Sequence, residues 1–258
     1  PLLPPRFMRF EDKKRALVSR LLQRKCVSQV LGLDYDAISI RRTREGKPFL
    51  VNRVDDPSLP NFNFNATHHG DYVALVSEPC CLAGVDVMVH ETRGRPQTVQ
   101  EFMKAFTKCF TEFEWRCIWG GGDDDIRVYE QFYRFWCMKE AYIKAIGIGL
   151  GYDLMRIEFH GVDGDPWANE ATVKVDGVLH EGWRLFLHPL GRGHWACVAR
   201  GPPKEAIESY KRTLPNPEVD EAVYQEELHA PSGTFQMMMV GDLVPEALLA
   251  EYEGVGGE

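Results

Sequence analysis

The stretch Trp136-Cys137-Met138-Lys139-Glu140-Ala141-Tyr142-Ile143-Lys144 decides how this chain organises itself. It closes an aromatic-rich segment, about 127–146, that reads as a helix, and Gly147-Ile148-Gly149-Leu150-Gly151 follows directly. Those glycines neither follow a strand nor open a helix, as a phosphate-binding loop must, so they read as a helix C-terminal cap and turn. Glu140 and Lys144 are four apart and share a helical face with Tyr133, Trp136 and Gly147. One reading is a surface Glu–Lys pair worth about 0.2–0.5 kcal/mol. The aromatic neighbours suggest another, a half-buried helix on which the pair needs an additional partner.

Outward from this helix, strands are expected near 154–159, 170–175, 183–188 and 194–200. On its other side a helix is expected at 98–109. Thr111 with Glu114 forms a capping-box start for a short helix, and Gly120-Gly121-Gly122-Asp123-Asp124-Asp125 reads as a solvated loop. Earlier still, apolar spacing predicts a helix over 6–31, through Phe7, Phe10, Ala16, Leu17, Leu21 and Val27, with Lys13, Lys14, Arg15, Arg20, Arg24 and Lys25 between them. A strand at 38–42 runs into the turn Arg44-Glu45-Gly46-Lys47-Pro48. Strand candidates at 62–67, 71–77 and 83–88 suit an antiparallel meander. The stretch 91–96, with Gly94 and Pro96, reads as a lobe boundary.

Helix then strands, twice over, predicts an α+β fold. Two similar lobes form a pseudo-dimer, each a small antiparallel sheet packed with helices, with the ligand in the interlobe cleft. The lobes are 1–96 and 97–201. Residues 202–258 form an acidic, proline-interrupted tail, expected to be loosely packed or disordered.

The composition, 44% hydrophobic and 26% charged, is that of an ordinary soluble domain, and a net charge of −8 argues against nucleic acid as partner. Any anionic ligand therefore needs a local basic cluster. Cysteines 26, 80, 81, 109, 117, 137 and 197 form no C-x-x-C pair, which reads as reduced thiols in a cytoplasmic protein. No apolar run approaches the roughly 20 residues of a membrane span. The chain begins at Pro1 without an initiator Met, so the alternative address is mitochondrial, should a targeting segment precede it.

Three further stretches could carry chemistry. In Gly84-Val85-Asp86-Val87-Met88 an aspartate sits in an apolar strand, costly to bury unless it is paired or binds metal; the bland alternative is a turn-capping strand end. Asn63-Phe64-Asn65-Ala66-Thr67-His68-His69-Gly70-Asp71 ends its alternation in polar groups. Adjacent strand histidines face opposite ways, so one phosphate-contacting His fits better than a metal pair, with a turn or core His as the alternative. Arg41-Arg42-Thr43-Arg44-Glu45-Gly46-Lys47-Pro48 is a basic turn in an acidic protein, either a local anion site or a solvated turn, to which Arg20 and Arg24 could add.

Taken in order, the R-x-G-K-P-like turn, the F-N-x-T/S-H segment, G-V/I-D and W-x-x-K-E-x-x-x-K resemble the phosphopantetheinyl transferases, in particular the surfactin-type group and its broad-specificity eukaryotic branch. The resemblance covers roughly residues 6–160. It implies a coenzyme A site between two similar α+β lobes. Arg42, Thr43, Arg44, Glu45, Gly46 and Lys47 would bind the 3′-phosphoadenosine end. Asn65, Ala66, Thr67 and His68 would bind the adenine and phosphates, His68 touching a phosphate. Asp86 and Glu140 would be the Mg²⁺ ligands, Lys144 would contact the pyrophosphate, and Glu140 would be the base for the attacking serine. Catalysis would thus rest on Glu140, Lys144 and Asp86, with an apo acyl carrier protein as partner, no membrane, and a monomeric enzyme.

The sequence departs from the family pattern in two ways. Many members carry a second carboxylate two residues after the strand aspartate, and here that place is Met88, so a water or another group must complete the metal shell. Members also usually begin before the residue matching Pro1, with a strand of the first lobe, which leaves open a truncated, non-catalytic module that binds coenzyme A or a carrier.

Overall fold

The computed structural model describes residues 10–89, 98–149 and 151–254. The first turn of the predicted N-terminal helix, with Phe7, and the expected boundary at 91–96 lie outside the described residues.

The chain opens with α1 (Phe10–Leu31), the hairpin β1 (Ile40–Arg42) and β2 (Pro48–Leu50), and the hairpin β3 (Asn63–His69) and β4 (Tyr72–Glu78). Val27 of α1 meets Ile38, Phe62 and Phe64 in a small apolar cluster that joins helix to hairpins. There follow β5 (Leu82–Val89), α2 (Val99–Lys104), α3 (Glu112–Trp119) and α4 (Asp125–Ile146). The strands β6 (Ile157–Gly161), β7 (Glu170–Val175), β8 (Val178–Gly191) and β9 (His194–Gly201) complete a five-stranded antiparallel sheet of order β5-β9-β8-β7-β6. The architecture is α+β with small antiparallel sheets, as expected.

α4 is the spine of the larger core. The Asp124 side chain accepts from the amides of Ile126 and Arg127 at its start, and Gly147, at φ 81°, closes its end in the left-handed conformation. One face carries Phe132 and Trp136 into a cluster of rings with Phe102, Phe106 and Phe110. Another face lies directly on β5. A Cβ on Gly84 would sit 2.0 Å from the Ala141 carbonyl oxygen and 2.7 Å from the Ala145 nitrogen. Glycine and two alanines therefore set the distance at which Asp86, two residues further along β5, meets α4. Gly84→Ala must push the helix away, and we expect it to cost about 1–3 kcal/mol, measured as a lower denaturation midpoint.

Two expectations are corrected. The strand at 82–89 is not the third strand of a meander: it pairs with β9, Asp86 opposite Cys197. Towards β3 it is held by side chains, Asn63 Oδ1 accepting from Ala83 N, Asn65 Oδ1 from Val85 N and His69 Nδ1 from Val89 N. Alternate residues of β3 thus replace a backbone ladder, which strand patterning cannot reveal.

The tail is also packed rather than loose as far as residue 243. Beyond the short helix α5 (Glu208–Lys211), α6 (Glu221–His229) is capped by Asp220, and α7 (Glu246–Gly254) is the last element. Ala206, Tyr210, Leu214, Tyr224, Leu228 and Leu243 are buried. Asn61 and Asn216 exchange hydrogen bonds of 2.6 and 2.9 Å. The buried Arg200 bonds Glu78 of β4 at 2.7 Å and the Ala230 carbonyl at 2.7 Å. The acidic surface is real, but single apolar anchors between the prolines fasten the segment to both halves.

Among the described residues no helix is long and apolar enough to cross a membrane, and each cysteine is a free thiol.

Candidate active site

Asp86 is 4% exposed on β5. Its Oδ1 lies 2.5 Å from Lys144 Nζ and accepts from Thr67 Oγ1 at 3.1 Å, while Lys144 also donates to Thr67 at 2.9 Å. Hairpin, sheet and helix thus meet in three side chains. Asp86 Oδ2 is buried and has no hydrogen-bond partner among the described residues. A buried carboxylate oxygen without a donor is costly, and a cation is one way to satisfy it.

Glu140 lies one helical turn before Lys144. Burial pushes its carboxyl above the usual range and the nearby Asp86 carboxylate pushes it further, with Lys144 opposing. Two acidic side chains this near one another, one with an orphaned oxygen, fit a hard divalent cation. Among the described residues no group of three His, Cys, Asp or Glu side chains could hold a metal. The remaining ligands of such an ion would therefore be substrate oxygens and water. Met88 packs against the main core and supplies none.

Beside this centre is a cationic rim. His68 is exposed next to Thr67; partial burial lowers its pKa, and the charges of Arg15 and Lys144 lower it further. Arg15 itself donates to the Gly70 carbonyl at 3.1 Å. The basic turn closes by backbone bonds, Thr43 N to Lys47 O and Gly46 N to Thr43 O, with Gly46 at φ 98°. Arg42 Nη1 donates to the Gly46 carbonyl at 2.7 Å, and the neighbouring charge of Arg20 lowers its pKa, after burial. Guanidinium groups on the turn and on α1 suit an anion.

The sequence-predicted residues do not all serve alike. Asp86, Thr67, Lys144 and Glu140 converge. Lys144, expected at the pyrophosphate, is bonded to Asp86 and Thr67, yet its ammonium has three donors and its side chain is 29% exposed. Asn65 is buried and spends its oxygen on Val85, beside Asp86; Ala66 is half-buried in the same strand. Lys47 differs most from an expected phosphate contact. It is buried and donates to the carbonyls of Ala83 at 2.8 Å and Lys144 at 2.6 Å, and burial holds its pKa well below the usual lysine value. It ties the turn to β5 and α4, leaving Arg41, Arg42 and Arg44 as the turn's exposed cations. Glu45 accepts a hydrogen bond from Ser209.

Sequence reasoning missed the buried pair Lys139–Glu114, 2.8 Å apart and fully enclosed. It also missed Cys137, whose Sγ donates to the Asp86 carbonyl at 3.1 Å. Lys139 stands inside the quoted motif, but nothing in a helical pattern distinguishes a buried lysine from a solvated one.

The fold brings two carboxylates, a lysine and a basic turn into one region, and comparison with known families places the chain in a class. Residues 5–80 match the family model described as 4′-phosphopantetheinyl transferase, N-terminal, and residues 83–198 match the 4′-phosphopantetheinyl transferase superfamily. The chain belongs to this family. It is 36% identical over 197 residues to the L-aminoadipate-semialdehyde dehydrogenase-phosphopantetheinyl transferase of Rattus norvegicus, covering 75% of this chain and 63% of that protein. It is 43% identical over 181 residues to the Xenopus laevis protein of the same name, covering 70% and 56%. A phosphopantetheinyl transferase from Thraustochytrium is 37% identical over 201 residues, covering 75% and 66%. The chain thus spans less than two thirds of the length of the animal relatives.

Proposed function

We propose that this chain transfers 4′-phosphopantetheine from coenzyme A to a serine of a carrier protein, releasing 3′,5′-adenosine bisphosphate. The observation that carries the reading is the orphaned Asp86 Oδ2 beside Glu140, within a family whose members are named for this transfer. Asp86 and Glu140 would hold Mg²⁺, which when bound supplies positive charge against the pyrophosphate.

The serine oxygen attacks the β-phosphorus, the bond from that phosphorus to the bridging oxygen breaks, and the bisphosphate leaves with the electron pair. Glu140 takes the serine proton, its carboxyl being held above the usual range by burial and by Asp86. Lys144 turns its remaining donor capacity to the pyrophosphate, and Thr67 fixes Lys144 relative to Asp86. His68 donates to a phosphate oxygen; the incoming charge raises its lowered pKa. Arg42 and Arg44 bind the 3′-phosphate. Asn65 and Ala66 border the adenine and phosphates.

The relatives' name refers to aminoadipate-semialdehyde dehydrogenase, so a carrier domain of lysine metabolism is the first substrate to try. An acyl carrier protein of fatty-acid synthesis is the second. The test is the mass of an apo carrier after incubation with the protein, Mg²⁺ and coenzyme A. A phosphopantetheine adduct is expected. Its absence, where a known transferase modifies the same carrier and this chain binds coenzyme A normally, would leave a binding module instead.

A further inference from the structure

The second family model stops at residue 198, and α5 lies beyond it. Two consecutive side chains of α5 nevertheless reach the basic turn. Ser209 Oγ donates to Glu45 Oε2 at 2.5 Å. The ring of the buried Tyr210 lies 4.6 Å below Lys47 Nζ, and its hydroxyl donates to Asn63 Oδ1 at 3.0 Å, the oxygen that also accepts from Ala83 N. α5 is fastened to the end of α4 by the bond from Ile207 N to Ile146 O, 3.1 Å. Beside it, a Cβ on Gly147 would come within 3.2 Å of both Lys47 and Tyr210. Turn, strand β5, helix α4 and tail therefore share one junction.

Glu45 is the awkward member of the turn. It stands next to Arg44, and a free carboxylate there would pair with the guanidinium groups that an incoming phosphate needs. Ser209 holds it elsewhere; that bond is the main reason its carboxyl lies below the usual range. We propose that Ser209 and Tyr210 are positioning residues for the 3′-phosphate of coenzyme A. Tyr210 supports Lys47 at the base of the turn, and Ser209 keeps Glu45 from competing with the phosphate for Arg42 and Arg44. The proposal rests on the turn being the 3′-phosphoadenosine site.

The experiment compares KM for coenzyme A with KM for 3′-dephospho-coenzyme A. Wild type should prefer coenzyme A. In Ser209→Ala, KM for coenzyme A should rise about 3- to 10-fold, the loss of one net hydrogen bond, while KM for the dephospho compound stays within about twofold. Ser209→Thr, which keeps the hydroxyl, should restore the wild-type ratio. A Ser209→Ala variant that keeps the wild-type preference, or loses affinity for both compounds equally, overturns the positioning role and leaves the transferase reading intact. A wild type that turns over both compounds with equal KM overturns the turn assignment and this proposal with it. A wild type that turns over neither overturns the transferase reading as well.

Discussion

Glu140→Gln is expected to lower kcat by about 10²–10⁴-fold while coenzyme A still binds. The amide keeps the shape of the side chain on α4, so Lys144 and Thr67 remain beside Asp86. It cannot accept the serine proton, and it removes one of the two carboxylate charges offered to a cation. In the proposed assignment the adenine end is bound by the turn and β3, which the substitution does not touch. The pH profile adds an independent check. Burial and Asp86 raise the carboxyl of Glu140 above the ordinary 4.5, so the metal-free wild type should protonate it at a higher pH than a free glutamate. Affinity for Mg²⁺ needs the ionised form and should fall as pH drops through that raised value. Activity at saturating Mg²⁺ should persist to lower pH, because a bound cation favours the carboxylate. The variant should lose the part of that acid dependence which Glu140 contributes. Near-normal kcat in Glu140→Gln would sink the assignment of base and metal ligand together.

How much of this was legible in the sequence varies with the kind of signal. Asp86, Glu140 and Lys144 stood out because a carboxylate in an apolar strand and a charged pair on an aromatic helix are each expensive unless partnered. Order along the chain joined them, and the fold brings Asp86 and Lys144 to 2.5 Å. The capping boxes at Thr98 and Thr111 and the cap at Gly147 follow local rules, and the latter two were readable. The partner of β5 was not. An apolar run fits a meander as well as a pairing with residues more than a hundred positions away, and only the bridging side chains of Asn63, Asn65 and His69 make the difference. The tail was misread for a related reason. Tyr210 is an isolated anchor, and Tyr224 and Leu228 make only a single helical step, so composition outweighed them. Lys47 looked like an anion contact because it sits among arginines. Its burial follows from the approach of α4 and β5, which no turn motif encodes.

Lys139 precedes Glu140 and faces the other way, into the protein. Its Nζ bonds Glu114 at 2.8 Å and the carbonyls of Leu154 at 2.9 Å and Ile157 at 2.7 Å, using all three donors. Glu114 in turn accepts from the amides of Thr111 and Phe159, so α3, α4 and the start of β6 are held at one buried point. Burial raises the pKa of Glu114 and lowers that of Lys139, each opposed by its partner. A pair this well satisfied is tolerable, but half of it is not. Lys139→Met conserves volume and leaves an uncompensated carboxylate, which should cost about 3–5 kcal/mol. For a chain of this size that lowers the melting temperature by roughly 6–20 °C. The sign of the pH dependence separates charge from packing. A carboxyl whose folded pKa is raised contributes most to stability below its unfolded pKa and loses that contribution as pH rises through the folded value. Without Lys139 the folded pKa of Glu114 rises further, so the deficit of Lys139→Met relative to wild type should widen from pH 5 to pH 8. Adding Glu114→Gln removes the stranded charge and should recover part of the loss and abolish that widening. A deficit independent of pH, unchanged in the double variant, would mean that the lysine's aliphatic packing matters at this junction and the ion pair does not.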